Sequence, residues 1–379
     1  MVRPITMETT TLAERQSNPL MSSCLKLAPR RNKLKVRAGK VYSFHNVELP
    51  RDLQDFYLKK KPASFLKNLK YTVIADLEEC HKLWDEFSPK ESLFDLWDFR
   101  VPFYQIFQPQ LHFILLRKGE RNVGLLPLWH DNEQKQYHWF GGWWHEDNKF
   151  LVKDPLFTPI LFALCPEPAY LNCISSEMLS HFVAHEEFKK FSQADPKYVL
   201  DVSRFKSFED YLKSLKKSRR HALKKERKKI EAKKPEIIID NFSDFDNLMS
   251  LCCERFDQKI SHGYKDPYDE GPIWQDSRYA DTFRGIIDNT SKDYQMRMIT
   301  VKIGGRVVGV DLLAIYNGCY YALVCGYDVS RCSGIGNYLN ILEIEEAIKL
   351  GLKKVDLLQN SYQWKDRWFQ PLPLMEYRK

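Results

Sequence analysis

The feature that most constrains this chain is a strand pattern that occurs twice. Leu111 to Lys118, Asn122 to Trp129 and Gln136 to Phe140 have the length and residue types of strands, and polar turns at Gly119 to Arg121 and Asp131 to Lys135 separate them. The construction returns as Gln295 to Ile303, a Gly304-Gly305 turn, Arg306 to Ile315, an Asn317-Gly318 turn and Cys319 to Tyr327. Asn-Gly supplies the positive φ angles of a tight hairpin turn, so the runs it joins close as antiparallel neighbours. The first hairpins share a local string, G-E-R-N-V-G at Gly119 to Gly124 against G-G-R-V-V-G at Gly304 to Gly309. Helical spacing at Leu77, Cys80, Leu83, Trp84 and Phe87, and an aromatic-rich stretch from Leu93 to Phe107, precede the first meander. The repeated order of helix and meander predicts a mixed α/β fold of two tandem units, each a mostly antiparallel twisted sheet flanked by helices.

A chain of 379 residues with 44% hydrophobic content has enough apolar surface for two cores. The expected divisions are a basic, partly disordered tail over 1–69, a first unit over 70–198 and a second unit over 199–379. No uncharged apolar run reaches the eighteen or so residues of a membrane span, and the most apolar stretch, Pro155 to Leu171, is interrupted by Pro159, Pro166 and Pro168. The nine cysteines show no regular spacing, and the start of the chain lacks the features of a secretory signal; both point to the cytoplasm. His112, His130, His138 and His145 lack ligand spacing, so no metal is expected.

Charge is concentrated in one segment. Between Lys213 and Lys234 twelve Lys or Arg face only Glu226 and Glu231, while the whole chain carries +8, so the remainder is slightly acidic. Such a distribution fits one localised anionic partner. Phe208, Leu212, Leu215, Leu223 and Ile230 form an apolar stripe through it, which predicts a basic helix over 208–234 that ends at Pro235. Arg219 and Arg220 fall where the stripe is interrupted and are candidates to hold an acceptor phosphate or carboxylate; the alternative is a solvated basic face.

After the second meander, Arg331 to Gly336 read R-C-S-G-I-G, followed by a helix from Gly334 to Leu350 and a strand from Lys354 to Leu358. Glycines at a strand-to-helix turn let a ligand approach the backbone, and the free amides of a helix start favour a pyrophosphate. In this placement Gly304 to Leu358 resembles the core of the GNAT superfamily, whose R/Q-x-x-G-x-G/A loop holds the pyrophosphate of coenzyme A. The resemblance implies donor contacts from Arg331, Ser333, Gly334, Ile335 and Gly336. It also implies that the strand Tyr320 to Tyr327 bonds the thioester carbonyl through amides near Cys325 and Gly326, and that Lys354 to Leu358 splays away from it.

A longer resemblance covers Tyr71 to the C-terminus. L-P-L-W at Leu126 to Trp129, W-F-G-G at Trp139 to Gly142, the basic segment from Phe208 to Arg220, G-Y-D at Gly326 to Asp328 and Y-Q-W-K at Tyr362 to Lys365 are similar, in their order, to double-GNAT proteins. These include acetyltransferases associated with cellulose biosynthesis, of the CelD/BcsL type, and FemAB-type peptidoglycan aminoacyltransferases that use aminoacyl-tRNA. The resemblance implies that Lys365 is placed at the reacting carbonyl or a neighbouring phosphate, and that Tyr327 meets the substrate. Ser333-Gly334-Ile335-Gly336 follows the coenzyme A version of the loop, and the basic segment precedes the second unit instead of forming an arm within it. The expected function is therefore acyl transfer from acyl-CoA, such as acetyl-CoA, to a small-molecule, peptide or sugar amine, or to a hydroxyl, by direct attack. The alternatives are a tRNA-dependent aminoacyltransferase with tRNA on the basic helix, and a non-catalytic binder of nucleic acid or an anionic polymer. Thioester aminolysis needs a polarised carbonyl, a base and an acid for the thiolate. Asp328 and Asp356 are the candidate bases and Tyr362 the candidate acid. Trp139, Phe140, Trp143 and Trp144 would either stack on an acceptor ring or pack in the core.

Overall fold

The computed structural model describes residues 44–180, 189–261, 276–289, 291–359 and 364–379. The first half opens with β1 (His45–Asn46), α1 (Arg51–Lys60), β2 (Leu69–Ile74), α2 (Leu77–Phe87) and α3 (Trp97–Phe107). Its meander is β3 (Gln110–Lys118), β4 (Arg121–Asp131) and β5 (Gln136–Trp139), followed by β6 (Leu151–Val152), α4 (Thr158–Ala163), β7 (Tyr170–Ser175), α5 (Ser176–Leu179) and β8 (Ser192–Gln193). Next come β9 (Lys197–Asp201), α6 (Phe208–Ser214), α7 (Lys217–Glu231), β10 (Glu236–Ile239), α8 (Phe245–Ser261) and α9 (Ser277–Asp288). The second meander is β11 (Gln295–Ile303), β12 (Arg306–Tyr316) and β13 (Cys319–Tyr327), and α10 (Ile335–Lys349), β14 (Lys354–Asp356), β15 (Gln370–Leu372) and β16 (Leu374–Arg378) complete the chain.

The repeat predicted from the two meanders is present to the level of single residue pairs. A shift of 185 positions carries Gln110–Lys118 onto Gln295–Ile303 and Arg121–Asp131 onto Arg306–Tyr316, with the same partners throughout. The bulge recurs too, between Leu116 and Arg117 in one hairpin and between Val301 and Lys302 in the other. Gly124 and Gly309 are equivalent and serve one purpose, because a Cβ at either would strike a helix: Leu161 of α4 at 2.9 Å, or Leu339 of α10 at 2.6 Å. Thus α4, of 6 residues, occupies in the first half the place that α10, of 15 residues, takes in the second.

Alternation along the second sheet sends Leu312 and Ala314 into a core shared with α8 and α9, and Leu313 and Ile299 into the core beneath α10 and α6. The first of these cores is common to both halves. Phe103 of α3 meets Phe283 of α9 edge-on at 5.9 Å, and Phe107 meets Tyr279 at 5.0 Å. Trp139 and Phe140 are fully buried, which settles them as core residues, while the half-buried Trp144 packs on Phe283.

Three features differ from the sequence reading. Part of the expected tail is ordered: Leu53 and Tyr57 of α1 are buried in the first half's core, and residues 1–43 lie outside the described residues. The basic segment is two helices, broken at Leu215 and Lys216, whose backbones are extended. Ser214 Oγ donates to Tyr211 O at 2.7 Å, a local bond that competes with helix continuation, and the break lets Phe208, Tyr211 and Leu212 reach the same core as Leu223 and Ile230. Finally, strands cross the division expected near residue 199. The second sheet runs β10-β11-β12-β13-β14-β9-β15, whereas β16, the last strand, sits between β7 and β8 of the first half. No helix among the described residues is long and apolar enough to cross a membrane.

Candidate active site at a strand fork

Strands β13 and β14 pair in parallel at Cys319 with Lys354, Tyr320 with Val355 and Tyr321 with Asp356, and there the pairing stops. β13 runs on to Tyr327 paired with β12 and not with β14, with a second register shift at Leu312/Leu313 that leaves Leu323 without an opposite residue, and Cys252 Sγ of α8 donates to Cys325 O at 3.5 Å. A bulge increases twist and bends its strand, so the two strands part and form a fork. The parallel pair requires a crossover, and α10 supplies it.

The loop from β13 to α10 is held by Asp328. Its carboxylate accepts from Ser330 Oγ at 2.6 Å and from the Arg331 amide at 3.0 Å, and Arg331 Nε lies 3.3 Å away. Burial pushes the Asp328 pKa up, but these hydrogen bonds and the Arg331 charge outweigh it and hold the carboxyl below its ordinary range. Asp328 is thereby engaged with its own loop. Gly334 caps α10 at φ 92°, a conformation that costs a non-glycine residue about 1–2 kcal/mol. No side chain caps this helix start, no acidic residue lies in its first turn, and open space surrounds the position of a Gly334 Cβ. The Ile335 amide is taken by Cys332 O at 3.1 Å, and the other amides of the first turn are presented to an anion such as a pyrophosphate. Arg331 and Ser333 are exposed beside them, and Ile335 is buried as the loop's anchor. The other two glycines serve packing. A Cβ on Gly336 would lie 3.0 Å from the Tyr327 ring, and one on Gly326 would lie 2.8 Å from Leu248 O of α8.

At the open end of the fork Lys365 is buried, with Nζ donating to Leu357 O at 2.8 Å, Leu358 O at 3.4 Å and Gln359 O at 2.8 Å. Burial lowers its pKa to about 8, against the opposing charge of Glu146 and other acidic groups nearby. Asp356 is committed on both oxygens: Oδ2 lies 2.8 Å from Lys197 Nζ, and Oδ1 accepts from the Leu358 amide at 2.9 Å. Lys197 also donates to both oxygens of Asp147, at 3.0 and 2.9 Å, and lies 3.6 Å from Glu146. Burial alone would lower the Lys197 pKa, and the three carboxylates outweigh it and hold it well above the lysine value. Glu146 belongs to the first half and was not marked by the sequence reading. Its loop, W-H-E-D-N, offers no periodicity, and only the strand exchange that brings β9 to β14 places it here.

Behind the fork, facing α10, Asp311, Cys325 and Glu343 bring their potential ligand atoms within 4.8 Å of one another, a spacing that suits a metal ion. Burial first, and then the neighbouring Asp311 carboxylate, pushes Glu343 well above its ordinary value. Tyr327 is buried and joined to Cys325 on the same side. Arg219 is exposed and donates to Arg367 O at 3.0 Å, which ties the start of α7 to the turn that carries Lys365. Arg220 is half-buried near Glu209, whose pKa is lowered first by a hydrogen bond from Lys224 and also by the Arg220 charge. Tyr362 lies outside the described residues. The fork therefore brings together Asp356, Lys365 and the backbone at Cys325 and Gly326, with the Gly334 loop at the end of β13, and leaves Arg220 apart. A cavity of about 580 Å³, lined by Ile286, Tyr294, Met296 and Tyr316 among others, lies at the closed end of the same strands and is not part of this site.

Residues 217–366 match the family model described as an acetyltransferase (GNAT) domain. Among solved structures the chain is similar to FemX, with a TM-score of 0.51 and 9% identity over 81% of this chain and 95% of that one. Other similar structures are a tandem GNAT protein from the clavulanic acid biosynthesis pathway (TM-score 0.49, 12% identity, 81% and 97% covered) and L-PGS from Bacillus licheniformis (TM-score 0.48, 10% identity, 80% and 92% covered). No curated protein matches the chain. Residues 217–366 thus match an acetyltransferase (GNAT) domain, and the chain as a whole shares its fold with FemX.

Proposed function

We propose that the chain is a cytoplasmic acyltransferase that passes an acyl group from acyl-CoA, with acetyl-CoA as the simplest donor, directly to an amine or hydroxyl acceptor. The uncapped start of α10 beside the β13/β14 fork is the observation that carries this reading. Amides at Gly334 and Gly336 would hold the donor's pyrophosphate, with Arg331 and Ser333 at its edge and Ile335 as the buried anchor. The backbone at Cys325 and Gly326, freed from β14, would polarise the acyl carbonyl. Lys365 lies at the same opening, its Nζ held by three backbone carbonyls, and its charge would favour the developing oxyanion, while Asp328 positions the loop. Isothermal titration with acetyl-CoA tests the donor assignment. Gly334→Trp forces a bulky residue into the left-handed conformation and over the helix start, and is expected to weaken binding at least about tenfold with the circular dichroism spectrum retained. Unchanged affinity in that variant would remove the pyrophosphate assignment.

A second reading, an aminoacyl-tRNA donor, is favoured by the position of α7. Its Lys225, Lys228 and Lys229 are exposed, and the helix touches the loop region through Asn337 with Glu226 at 2.8 Å, as does the turn after it through Lys233 Nζ at 3.9 Å from Cys332 Sγ. An RNA held on that face would reach the same fork. Titration with tRNA beside acetyl-CoA separates the two donors.

A further inference from the structure

The face of α10 that lies on the second sheet carries a carboxylate that an apolar core does not explain. α10 runs along β12 in the same direction. Leu339 meets Gly309, and one helical turn further on Glu343 meets Asp311, which lies two residues along the strand on the same face. Asp311 is in turn paired across the sheet with Cys325 of β13. The three residues come from three elements, so no motif marks them, and the expectation of no metal rested on histidine spacing. Asp311 and Glu343 are both 0% exposed. Both carboxylate oxygens of Glu343 are buried and accept no hydrogen bond among the described residues. The Cys325 thiol meets Asp311 and Tyr327. Lys365, whose charge reaches Glu343, directs its Nζ to three backbone carbonyls. Two carboxylates side by side and away from water repel each other unless something cationic stands between them. A proton would serve the two carboxylates and leave the sulfur out, whereas a metal ion would use all three donors.

We infer that Asp311, Cys325 and Glu343 form a structural site for one divalent transition metal, zinc before others, which ties α10 to β12 and β13. Their ligand atoms lie within 4.8 Å of one another, a separation that closes onto one ion with small side-chain shifts. The donor set selects the metal. A thiolate disfavours magnesium and calcium, and two carboxylates disfavour copper(I). Zinc takes sulfur and carboxylate oxygen together, and one carboxylate bound through both oxygens completes four-coordination. Binding turns the Cys325 thiol into a thiolate, and its proton leaves to solvent as the sulfur–zinc bond forms. Because both carboxylates are sealed from water, the ion enters while the chain folds, and its binding energy becomes folding energy. The ion thereby fixes the helix whose start carries the glycine loop, without touching the reacting groups.

The test uses the full chain, expressed in medium supplemented with zinc or with cobalt, because the ion must be present during folding. After gel filtration, elemental analysis of the wild type is expected to give about one zinc per chain. The cobalt protein is expected to show a thiolate-to-cobalt charge-transfer band in the near ultraviolet, which carboxylates alone do not give. Glu343→Gln, which keeps the shape and removes the charge, and Cys325→Ser should each lose at least about nine-tenths of the zinc. Cys165→Ser, in the first half, should keep it. Wild type from metal-depleted medium should melt about 5 °C or more below the zinc protein. That comparison and the cobalt spectrum need no variant, and they decide the matter if the variants do not fold. A wild type that holds less than about a tenth of an equivalent of either metal overturns the inference. So does zinc kept in full by both variants, which would be an ion held elsewhere. Equal melting temperatures with and without zinc also overturn it, and leave a proton shared by Asp311 and Glu343 as the occupant. None of these readouts depends on which acyl donor the protein uses.

Discussion

At the scale of single residues the stability of this molecule turns on Lys197, whose ammonium lies within 2.9 Å of both Asp147 and Asp356 in a setting sealed from water. Removing one partner from a buried charge cluster costs about 3–5 kcal/mol, because the others stay buried without compensation. Lys197→Ala is expected to lose about that much in urea denaturation at pH 8, and less at pH 5. Burial raises the pKa of both Glu146 and Asp356 above the ordinary carboxylate values. Their contribution to stability is therefore intact at low pH, where both states hold the proton, and is lost as pH rises through the window between unfolded and folded values. An equal loss at both pH values would show that the cluster is not the source. Of this cluster the sequence pointed only to Asp356 and Lys365, which flank a strand and a motif. Lys197 and Glu146 stand beside ordinary strand and loop residues, and nothing local marks either as buried.

At the scale of elements the meanders were readable because turn chemistry and alternation act locally: Gly304-Gly305 and Asn317-Gly318 lie at positive φ, as their hairpins require, apart from the strands they join. The break between α6 and α7 was not readable, since an apolar stripe looks the same whether one helix or two present it. That break decides which lysines are available. Lys224 is engaged with Glu209 at 2.7 Å, and Arg227 with Glu231 at 2.7 Å and with Glu345, while Lys225, Lys228 and Lys229 point outward. Replacing those three by Gln is expected to leave acetyl-CoA affinity within about twofold and stability within about 0.5 kcal/mol. If tRNA is the donor, the same variant should bind it more weakly, with the salt dependence flattened by up to about one unit of slope for each phosphate no longer neutralised. The contrast between α4 and α10 belongs to this scale as well. Equivalent glycines admit both helices, but only α10 follows a glycine loop, so the first unit keeps the scaffold and lacks the helix start that would greet an anion.

At the scale of the whole molecule the two halves cannot be separated by cutting the chain once. β16 pairs with β7 and β8, Tyr377 is buried among Phe162 and Phe191 of the first half, and the Lys379 backbone bonds in both directions with Ala169. Deleting residues 374–379 removes the buried Leu374 and Tyr377, each contributing about 1.5–3 kcal/mol, along with the strand's ladder. The truncated protein is expected to melt well below the full chain, and acetyl-CoA binding should fail in the same transition, because α3 and α9 share one core. Retention of donor binding by a folded second half would contradict this. The same strand also sets an order of events during synthesis. The first half leaves the ribosome about two hundred residues ahead of the strand that closes its small sheet, so β7 must wait with an open edge while the second half is made. Such a nascent chain offers a long interval for a chaperone to hold it, and its slowest folding step should follow the arrival of residues 374–378.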